Sequence, residues 1–330
     1  LKRRHLGAAT RCGPGREPPP MSIFGRVLRS GQVRATSAVT LAAAIGYTQR
    51  RRTQVYCSQR GGAQSLVTDW GDAKKAAKLE VNYSTPDVMK TRSEMVAMLK
   101  PTLGERILDV GCGPGFFMSD LIDAVGTEGA VEGIEVSEAM ISLAAARLAR
   151  AANASLRKAD AQSLPHEDQS FDAVVMSQVL LYVHDVPRAL AEAYRVLRPG
   201  GRLLILDTDW DSLVVNTSDK ERFERIRACQ CSTFHDAHLP PKLPGLLYRA
   251  GLDLAEVRTV PMIACGMAER STASASFAMN WAFNVVEEKA KGFGLAEADL
   301  RSWLQEQQEL GETGGFFVCV HRFLFLACRK

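Results

Sequence analysis

One acid and three glycines at the end of an apolar run have the types and spacing that bind nucleotide-like ligands. Residues 106 to 110 form a strand-length segment that carries Asp109, and Gly111, Gly113 and Gly115 follow at alternate positions. Glycine lets the backbone approach a ligand with no Cβ in between, and the helical pattern that comes next presents unpaired N–H groups at its first turn. The sequence therefore predicts a ligand-binding turn between a buried strand and a helix.

This turn has two interpretations, because the dinucleotide fingerprint G-x-G-x-x-G is also a strand, a glycine turn and a helix. Here the pattern is D-x-G-x-G-x-G, and Phe116 stands where the third glycine of the fingerprint would fall. The spacing disfavours an NAD-dependent oxidoreductase, which is kept as an alternative.

Polar residues also follow the next three predicted strands. Glu135 lies 24 residues after Gly111, close to the spacing at which a carboxylate accepts ribose hydroxyls. Asp160 follows the third strand, where a carboxylate can accept an adenine amino hydrogen, and Ser177 and Gln178 follow the fourth. Ligands of open α/β sheets bind at the carboxyl ends of strands, so we expect these residues to lie together. Each acid alone would serve equally well as a helix cap or a surface charge.

The elements that must position these residues alternate between apolar runs and amphipathic helical patterns, which is typical of a parallel α/β sheet. A helix is predicted over 186–197, with Asp185 as its N-cap and Pro199-Gly200-Gly201 after its end. A helical insertion is predicted over 266–312, which we expect to cover the substrate site or, alternatively, to form a dimer face. Strands are predicted over 106–110, 131–135, 154–158, 171–177, 202–207, 254–263 and 316–327.

Charge is distributed unevenly along the chain. Residues 1–68 hold twelve of the 41 Lys and Arg residues and one of the 37 acids, so residues 69–330 carry a net charge of −7. An acidic body argues against a nucleic-acid partner. The basic leader predicts an organelle transit peptide, mitochondrial in the first place, with a plastid or cytoplasmic location or a disordered tail as alternatives. The apolar stretch 38–47 is far shorter than the ~20 residues of a membrane span.

Cysteine and histidine spacing gives no metal site. The eight cysteines include no C-x-x-C pair, and Cys229 with Cys231 is the only close pair, so neither zinc ligation nor a disulfide framework is predicted. His235 and His238 are three residues apart but lack a third ligand.

Five segments together resemble the cofactor-binding core of class I S-adenosylmethionine (SAM)-dependent methyltransferases, in particular the small-molecule type 11 family of ubiquinone and menaquinone biosynthesis. This family usually has Asp where the chain has Glu135. The resemblance implies an α/β fold: a Rossmann-like, seven-stranded, mostly parallel sheet in the order 3-2-1-4-5-7-6, the last strand antiparallel, with helices on both faces and a helical cap. The domain would span 69–330 after a leader of 1–68, with an N-terminal helical lid over 69–100. The matching segments are I-L-D-V-G-C-G-P-G (107–115), G-I-E-V-S-E-A-M (133–140), D-A-Q-S-L-P (160–165), F-D-A-V-V (171–175) and A-Y-R-V-L-R-P-G-G (193–201).

The resemblance also implies a SAM site. The glycines would cradle the methionine half, Asp109 would support the loop or hold the amino group, and Glu135 would bind the ribose. Tyr83 and Arg92 would close over SAM and pair with its carboxylate, and Asp160 would hold the adenine, packed on an apolar side chain. The residues implied to contact SAM are Tyr83, Arg92, Asp109, Gly111, Gly113, Gly115, Glu135, Val136, Met140, Asp160, Ala161 and Ser177.

The implied activity is transfer of the SAM methyl group to a small organic acceptor by in-line attack, in which orientation alone is worth about 7 kcal/mol in favourable cases. A base is required only if the acceptor atom loses a proton. Tyr182, His184 and Asp209 are weak candidates for that base, so no catalytic residue is assigned. Carbon, oxygen and nitrogen acceptors stay open, as does the oligomeric state. The alternative to an enzyme is a methyltransferase-like assembly factor without turnover in an organelle.

Overall fold

A computed structural model describes residues 82–266 and 295–330. Its centre is a seven-stranded sheet in the order β3-β2-β1-β4-β5-β7-β6. β1 to β5 pair in parallel, and β7 is antiparallel to both β5 and β6, which confirms the predicted fold. The strands are β1 Arg106–Val110, β2 Ala130–Glu135, β3 Ala154–Lys158, β4 Phe171–Ser177, β5 Leu197–Val215, β6 Leu252–Cys265 and β7 Phe317–Arg329.

Strand order places the glycine turn at the switch point of the sheet. After β1 the chain continues to β2 and β3 on one side, and then returns to add β4 on the other side of β1. The carboxyl ends of β1 and β4 therefore border the crevice in which open α/β sheets bind ligands.

Seven α-helices of the described residues cover the sheet and its ends. The helix predicted from Asp185 is confirmed: the Asp185 side chain accepts from the backbone N–H of Arg188 at 3.0 Å, and the helix ends at Val196. Of the predicted helical segment 70–100, residues 86–99 are helical, and 70–81 lie outside the described residues. The helices are α1 Pro86–Leu99, α2 Phe116–Val125, α3 Glu138–Arg147, α4 Val186–Val196, α5 Lys220–Cys231, α6 Leu243–Arg249 and α7 Glu297–Glu312.

The fifth strand is much longer than its prediction over 202–207. It runs from Leu197 to Val215, and after a register shift its last residues pair with β7, where Val214 lies opposite Cys319. The prediction was wrong because the alternating acids after residue 206 resemble a loop, whereas Asp207 and Asp209 are buried. The last part of β5 pairs with β7, and apolar side chains of both strands belong to the same buried cluster.

Two helices, α5 and α7, pack against the last part of β5, and we call them the cap helices. An apolar cluster joins them to the sheet, with Trp303 fully buried at its centre. Arg222 of α5 forms an ion pair with Glu306 of α7, and its Nη1 donates to Ser302 at 2.5 Å. The predicted insertion 266–312 thus contains helix α7, while 267–294 lies outside the described residues.

Two further apolar clusters fill the faces of the sheet. One lies beneath α4 and α6 and the other beneath α1 and α2. Within residues 82–266 and 295–330, no helix is long and apolar enough to cross a membrane.

Candidate functional site

The glycine turn after β1 is a left-handed path held against β2. Gly111, Gly113 and Gly115 have φ values of 70°, 51° and 78°. Residues other than glycine rarely adopt this left-handed region. The N–H groups of Gly111 and Cys112 both donate to the carbonyl of Ile134, at 2.8 and 3.0 Å. The turn is therefore tied to the end of the neighbouring strand.

The three glycines have different surroundings. A Cβ at Gly111 would lie 2.5 Å from Val179 Cγ2, and one at Gly115 would lie 3.1 Å from Ala144 Cβ. At Gly113 the nearest atom would be Tyr83 Oη, at 3.7 Å. Gly111 and Gly115 thus permit close packing within the protein, whereas Gly113 is less crowded and has Tyr83 Oη as its nearest neighbour.

Glu135 clamps this turn from the end of β2. Its Oε2 accepts from the N–H of Gly113 at 3.1 Å, and its Oε1 accepts from the N–H groups of Val136 and Ser137 at 2.8 and 3.0 Å. A carboxylate has about four acceptor positions, so one position on Oε2 is left for a ligand hydroxyl. Ser137 also caps α3 by accepting from Met140 N at 3.3 Å.

Asp109 lies beneath the turn and is only 2% exposed. Burial, with a smaller contribution from the Glu135 carboxylate, raises its pKa to about 8. The same burial, followed by Asp109 and Glu135, raises the pKa of the Cys112 thiol far above its usual range. Cys112 is therefore a packed, unreactive thiol at neutral pH, and burial favours the protonated form of the Asp109 carboxyl group.

A wall of aromatic and cationic side chains borders the open side of Gly113. The Tyr83 ring stacks on Phe116, with 5.5 Å between the ring centroids, and the Arg147 guanidinium lies 3.4 Å from the Phe116 centroid. Burial and then Glu135 raise the pKa of Tyr83 to about 12, so its hydroxyl keeps its proton. Arg147 was missed in the sequence because its partner Phe116 lies on another helix.

Arg92 holds the Tyr83 segment in place. Its Nε donates to Asp120 at 2.8 Å and its Nη1 donates to the Tyr83 carbonyl at 2.7 Å. Both contacts are within the protein, and pairing of Arg92 with a ligand carboxylate stays a prediction.

Of the predicted adenine residues, Val136 follows β2, Met140 lies in the first turn of α3, and Asp160 and Ala161 follow β3. Val136 is 55% exposed and Asp160 is exposed, while Met140 and Ala161 are buried. Asp160 Oδ1 accepts from the Gln162 N–H at 2.8 Å, which orders its loop. Exposed Val136 offers the apolar surface, and Asp160 the acceptor, that an adenine ring requires.

The end of β4 brings Ser177 and Gln178 to the same edge. Gln178 has a left-handed φ of 57°, and its Oε1 accepts from Thr208 Oγ1 at 2.8 Å. The Ser177 hydroxyl lies 3.9 Å from the sulfur of Met95 in α1. A strained non-glycine residue at a strand end is a common feature of ligand sites.

Beyond β4, the weak catalytic candidates have different environments. Tyr182 packs against Phe234 at 5.2 Å, and burial raises its pKa well above its usual range. His184 is exposed and its ring packs edge-on against His235 at 5.3 Å. Asp209 Oδ1 lies 2.7 Å from Nδ1 of His238, within hydrogen-bond distance. The sequence did not predict this partnership because 29 residues separate the two.

Two buried charges lie at the same end of the sheet. Burial raises the pKa of the Asp207 carboxyl well above its usual range. Burial lowers the pKa of Arg322, opposite Thr208 on β7, to about 10. Arg322 was missed because nothing in its strand pattern separates it from an exposed arginine.

Within the described residues, no group of three or more His, Cys, Asp or Glu side chains is arranged to bind a metal ion. His235 and His238 point to different partners, as their contacts with His184 and Asp209 show.

One family model and several known proteins match parts of this chain. A family model described as a methyltransferase domain matches residues 108–205. An uncharacterized 37.1 kDa protein of transposon Tn4556 from Streptomyces fradiae is 41% identical over 147 residues, which are 43% of this chain and 43% of that protein. The demethylmenaquinone methyltransferase of Staphylococcus epidermidis is 36% identical over 189 residues, 51% of this chain and 76% of the enzyme. The chain thus spans less than half of the first relative and about three quarters of the second.

Among solved structures, phosphoethanolamine N-methyltransferase 2 of Haemonchus contortus, in complex with SAM, has a TM-score of 0.52 and 16% identity. The superposition covers 83% of this chain and 61% of that one. At this identity the likeness concerns the fold alone.

Proposed function

Because the chain belongs to the class I SAM-dependent methyltransferases of small-molecule type, we propose that it binds SAM at the glycine turn and transfers the methyl group to a small organic acceptor. The observation that carries this proposal is the hydrogen bond between Glu135 and Gly113. It joins the carboxylate predicted for the ribose to the least crowded glycine of the turn, where the nearest atom to a Cβ would be Tyr83 Oη at 3.7 Å.

Different described residues suit the methionine, ribose and adenine parts of SAM. We propose that the methionine half lies beside Gly113, the least crowded glycine of the turn, and the remaining acceptor position on Glu135 suits a ribose hydroxyl. Val136 and Asp160 suit the adenine ring. Asp109, buried beneath the turn, suits a ligand with positive charge because a nearby cation favours its ionised form.

SAM supplies an electrophilic methyl group on a sulfonium. What remains for the protein is to orient the two reactants and exclude water, so a large share of catalysis can come from positioning. Tyr83, stacked on Phe116 and held by Arg92, is placed to close the site over Gly113. In-line attack on the methyl carbon is part of the proposal.

A small organic acceptor is supported by the similarity to a demethylmenaquinone methyltransferase. The acidic body of the chain agrees with it, because a nucleic-acid acceptor would need clustered Lys and Arg. The cap helices pack against the last part of β5, and Phe234 packs against Tyr182, which follows β4. We propose that the acceptor enters at this edge of the sheet.

Titration of the purified protein with SAM and with NADH, followed by calorimetry, tests the donor. We expect saturable binding of SAM, and a weaker affinity after Glu135→Ala. Binding of NADH without SAM would contradict the proposal and favour the oxidoreductase alternative. A role as a silent assembly factor would follow if cells lacking the protein recovered fully with a variant that no longer binds SAM.

We also propose, from the basic and acid-poor residues 1–68, that the protein is imported into an organelle, in the first place the mitochondrion. A fluorescent reporter fused to residues 1–68 tests this directly. Cytosolic fluorescence would contradict it.

A further inference from the structure

We propose that His238, oriented by Asp209, is the general base that takes a proton from the methyl acceptor. The inference rests on the proposed methyl transfer and deepens it, because it restricts the acceptor class. The acceptor would carry its hydrogen on the atom that receives the methyl group, as a hydroxyl or an acidified carbon does. A tertiary amine or a thioether would need no such base.

The geometry of the pair defines the tautomer of His238. Nδ1 lies 2.7 Å from Asp209 Oδ1, and because an ionised carboxylate only accepts, Nδ1 carries the proton. Nε2 is then the acceptor of the ring, and no contact with a described residue occupies it. The His238 side chain is 44% exposed whereas that of Asp209 is 11% exposed. A buried acid behind an accessible imidazole is the arrangement that makes histidine an effective base.

Asp209 is itself held in place. Its Oδ1 also accepts from the Asp211 N–H at 3.1 Å, and its carbonyl accepts from Ser212 Oγ at 2.6 Å. The His238 N–H donates to Asp236 at 3.1 Å. Both partners are thus fixed by their own segments, so that the pair needs little rearrangement before it acts.

Three segments meet around this pair at the carboxyl end of the sheet. The carbonyl of Leu181, after β4, accepts from the His235 N–H at 3.0 Å, and the carbonyl of Ala237 accepts from the Trp210 N–H of β5 at 3.0 Å. The ring of Phe234 packs between Tyr182 and Trp210, with centroid distances of 5.2 and 5.4 Å. The segment that carries His238 is therefore joined to the ends of both β4 and β5.

Aromatic side chains lie both at the glycine turn and beside the segment of His238. Tyr83 Oη would be the nearest atom to a Cβ at Gly113, at 3.7 Å. Tyr182, which follows β4, packs on Phe234, four residues before His238. A flat organic acceptor held by such rings at this edge of the sheet is part of the proposal.

The other histidines nearby lack this arrangement. His184 and His235 pack on each other at the surface, and neither has a carboxylate partner among the described residues. His321 donates its backbone N–H to Ser212 Oγ at 2.9 Å, and its ring lies 6.4 Å from that of Phe323. Among the histidines of the described residues, His238 is the one that combines a partly exposed ring with a buried acid at Nδ1.

The proposed step balances in protons and electrons. The proton of the acceptor moves to Nε2 of His238, and the electron pair of that broken bond forms the new bond to the methyl carbon. The pair of the former S–CH3 bond stays on sulfur and gives neutral S-adenosylhomocysteine. The exposed imidazolium then returns its proton to water. Other charged or titratable groups around the ring are Asp211, Asp236, Arg227, Lys242 and His321.

Nuclear magnetic resonance of the ring nitrogens tests the geometry without any acceptor. In the full chain we expect neutral His238 to carry its proton on Nδ1, and Asp209→Asn to mix the two tautomers. His235→Gln, at a neighbouring exposed histidine, is the matched control and should leave the His238 signals in place. A wild-type ring protonated on Nε2 would overturn the proposal.

Cells fed methionine labelled in its methyl group test the chemistry. Cells lacking the protein receive the wild type, His238→Gln, Asp209→Asn or His235→Gln, and the labelled metabolites are compared. We expect the wild type and His235→Gln to restore a labelled product. His238→Gln should slow its formation by about 10² to 10⁴, the usual contribution of a general base, while its SAM affinity stays unchanged.

The unmethylated compound that accumulates in these cells then serves as the acceptor in vitro. The wild-type rate should fall on the acid side, because a protonated imidazole accepts no proton, and His238→Gln should lose this dependence. Full restoration by His238→Gln would overturn the inference and leave methyl transfer standing. Absence of any labelled product with the wild type would instead contradict the proposed function. If His238→Gln loses SAM binding through misfolding, Asp209→Asn supplies the same comparison.

Discussion

The carboxylate of Glu135 accepts a hydrogen bond from the backbone N–H of Gly113, with 3.1 Å between Oε2 and N. The end of β2 and the turn after β1 are therefore one unit, although 22 residues separate the two groups. The longer side chain of Glu, compared with the Asp that is usual in this family, reaches the turn while its other oxygen caps the start of the following segment. A substitution at Glu135 should therefore change both the affinity for SAM and the order of the glycine turn.

Replacement of Glu135 tests this unit. Glu135→Gln removes the charge and one acceptor oxygen, and hydrogen bonds to charged groups are worth about 1.5 to 3 kcal/mol, so SAM affinity should fall about 10- to 100-fold. Glu135→Asp is the matched control: it keeps the charge and should lose less. Calorimetric titration measures both, and equal affinities for the wild type and Glu135→Gln would contradict the assignment.

Alanine at the glycines should separate stability from binding. Gly200→Ala, with a φ of 76° and nothing within 4 Å of the new Cβ, measures the left-handed strain alone, about 1 to 2 kcal/mol. Gly111→Ala adds the contact with Val179 and should cost about 2 to 4 kcal/mol in unfolding free energy. Gly113→Ala should resemble Gly200→Ala in stability but weaken SAM binding. Urea unfolding and SAM titration measure the two effects; unchanged SAM affinity in Gly113→Ala would show that no ligand enters there.

Asp109 should make the stability of the free protein depend on pH. Its pKa is raised from 3.8 to about 8 by burial and then by Glu135, so the folded state holds this proton more tightly than the unfolded chain. Its favourable contribution is complete below about pH 4 and is lost as the pH rises through 8. Asp109→Asn mimics the neutral form, and its unfolding free energy relative to the wild type should rise between pH 4 and 8 and then level off. Urea unfolding at several pH values measures this difference, and a difference between the two proteins that stays constant from pH 4 to 8 would contradict the prediction.

The two ion pairs between the cap helices should differ in strength. Arg222 is 8% exposed and paired with Glu306, so Arg222→Ala leaves an uncompensated acid and should cost about 3 to 5 kcal/mol. Arg225, paired with Asp299 on the same two helices, is 39% exposed in its side chain, and Arg225→Ala should cost at most about 1 kcal/mol. Thermal and urea unfolding of both variants gives the comparison. Equal losses would show that burial of the Arg222 pair has no energetic consequence.

The sequence predicted the sheet well where a strand has one plain apolar run. β1, β3 and β4 begin and end at the predicted residues. β1 and β4 are almost entirely buried, which gives a near-continuous apolar run, whereas β3 is the more exposed strand at the edge of the sheet. The end of β5 could not be predicted in this way. Asp207 and Asp209 interrupt its apolar pattern, yet both are buried by contacts with segments distant in sequence.

The same limit applies to the site. The glycines and Glu135 lie within one local pattern, so their spacing identified them. Asp209 was a weak candidate because an isolated acid has many uses, and its partner His238 comes from a segment that only the folded chain brings near. Arg147, whose contact with Phe116 joins two helices, had no local signal.

The position of β7 has a consequence for biosynthesis. This strand follows β6 in the chain but lies between β5 and β6 in the sheet, bonded to both. While the polypeptide leaves the ribosome, β5 therefore waits with one edge unpaired and β6 has no neighbour at all. Unpaired strand edges recruit other chains, so the nascent protein passes through a stage in which it is most prone to aggregate, and a chaperone would act there. Ribosome stalling before residue 317 should capture that stage.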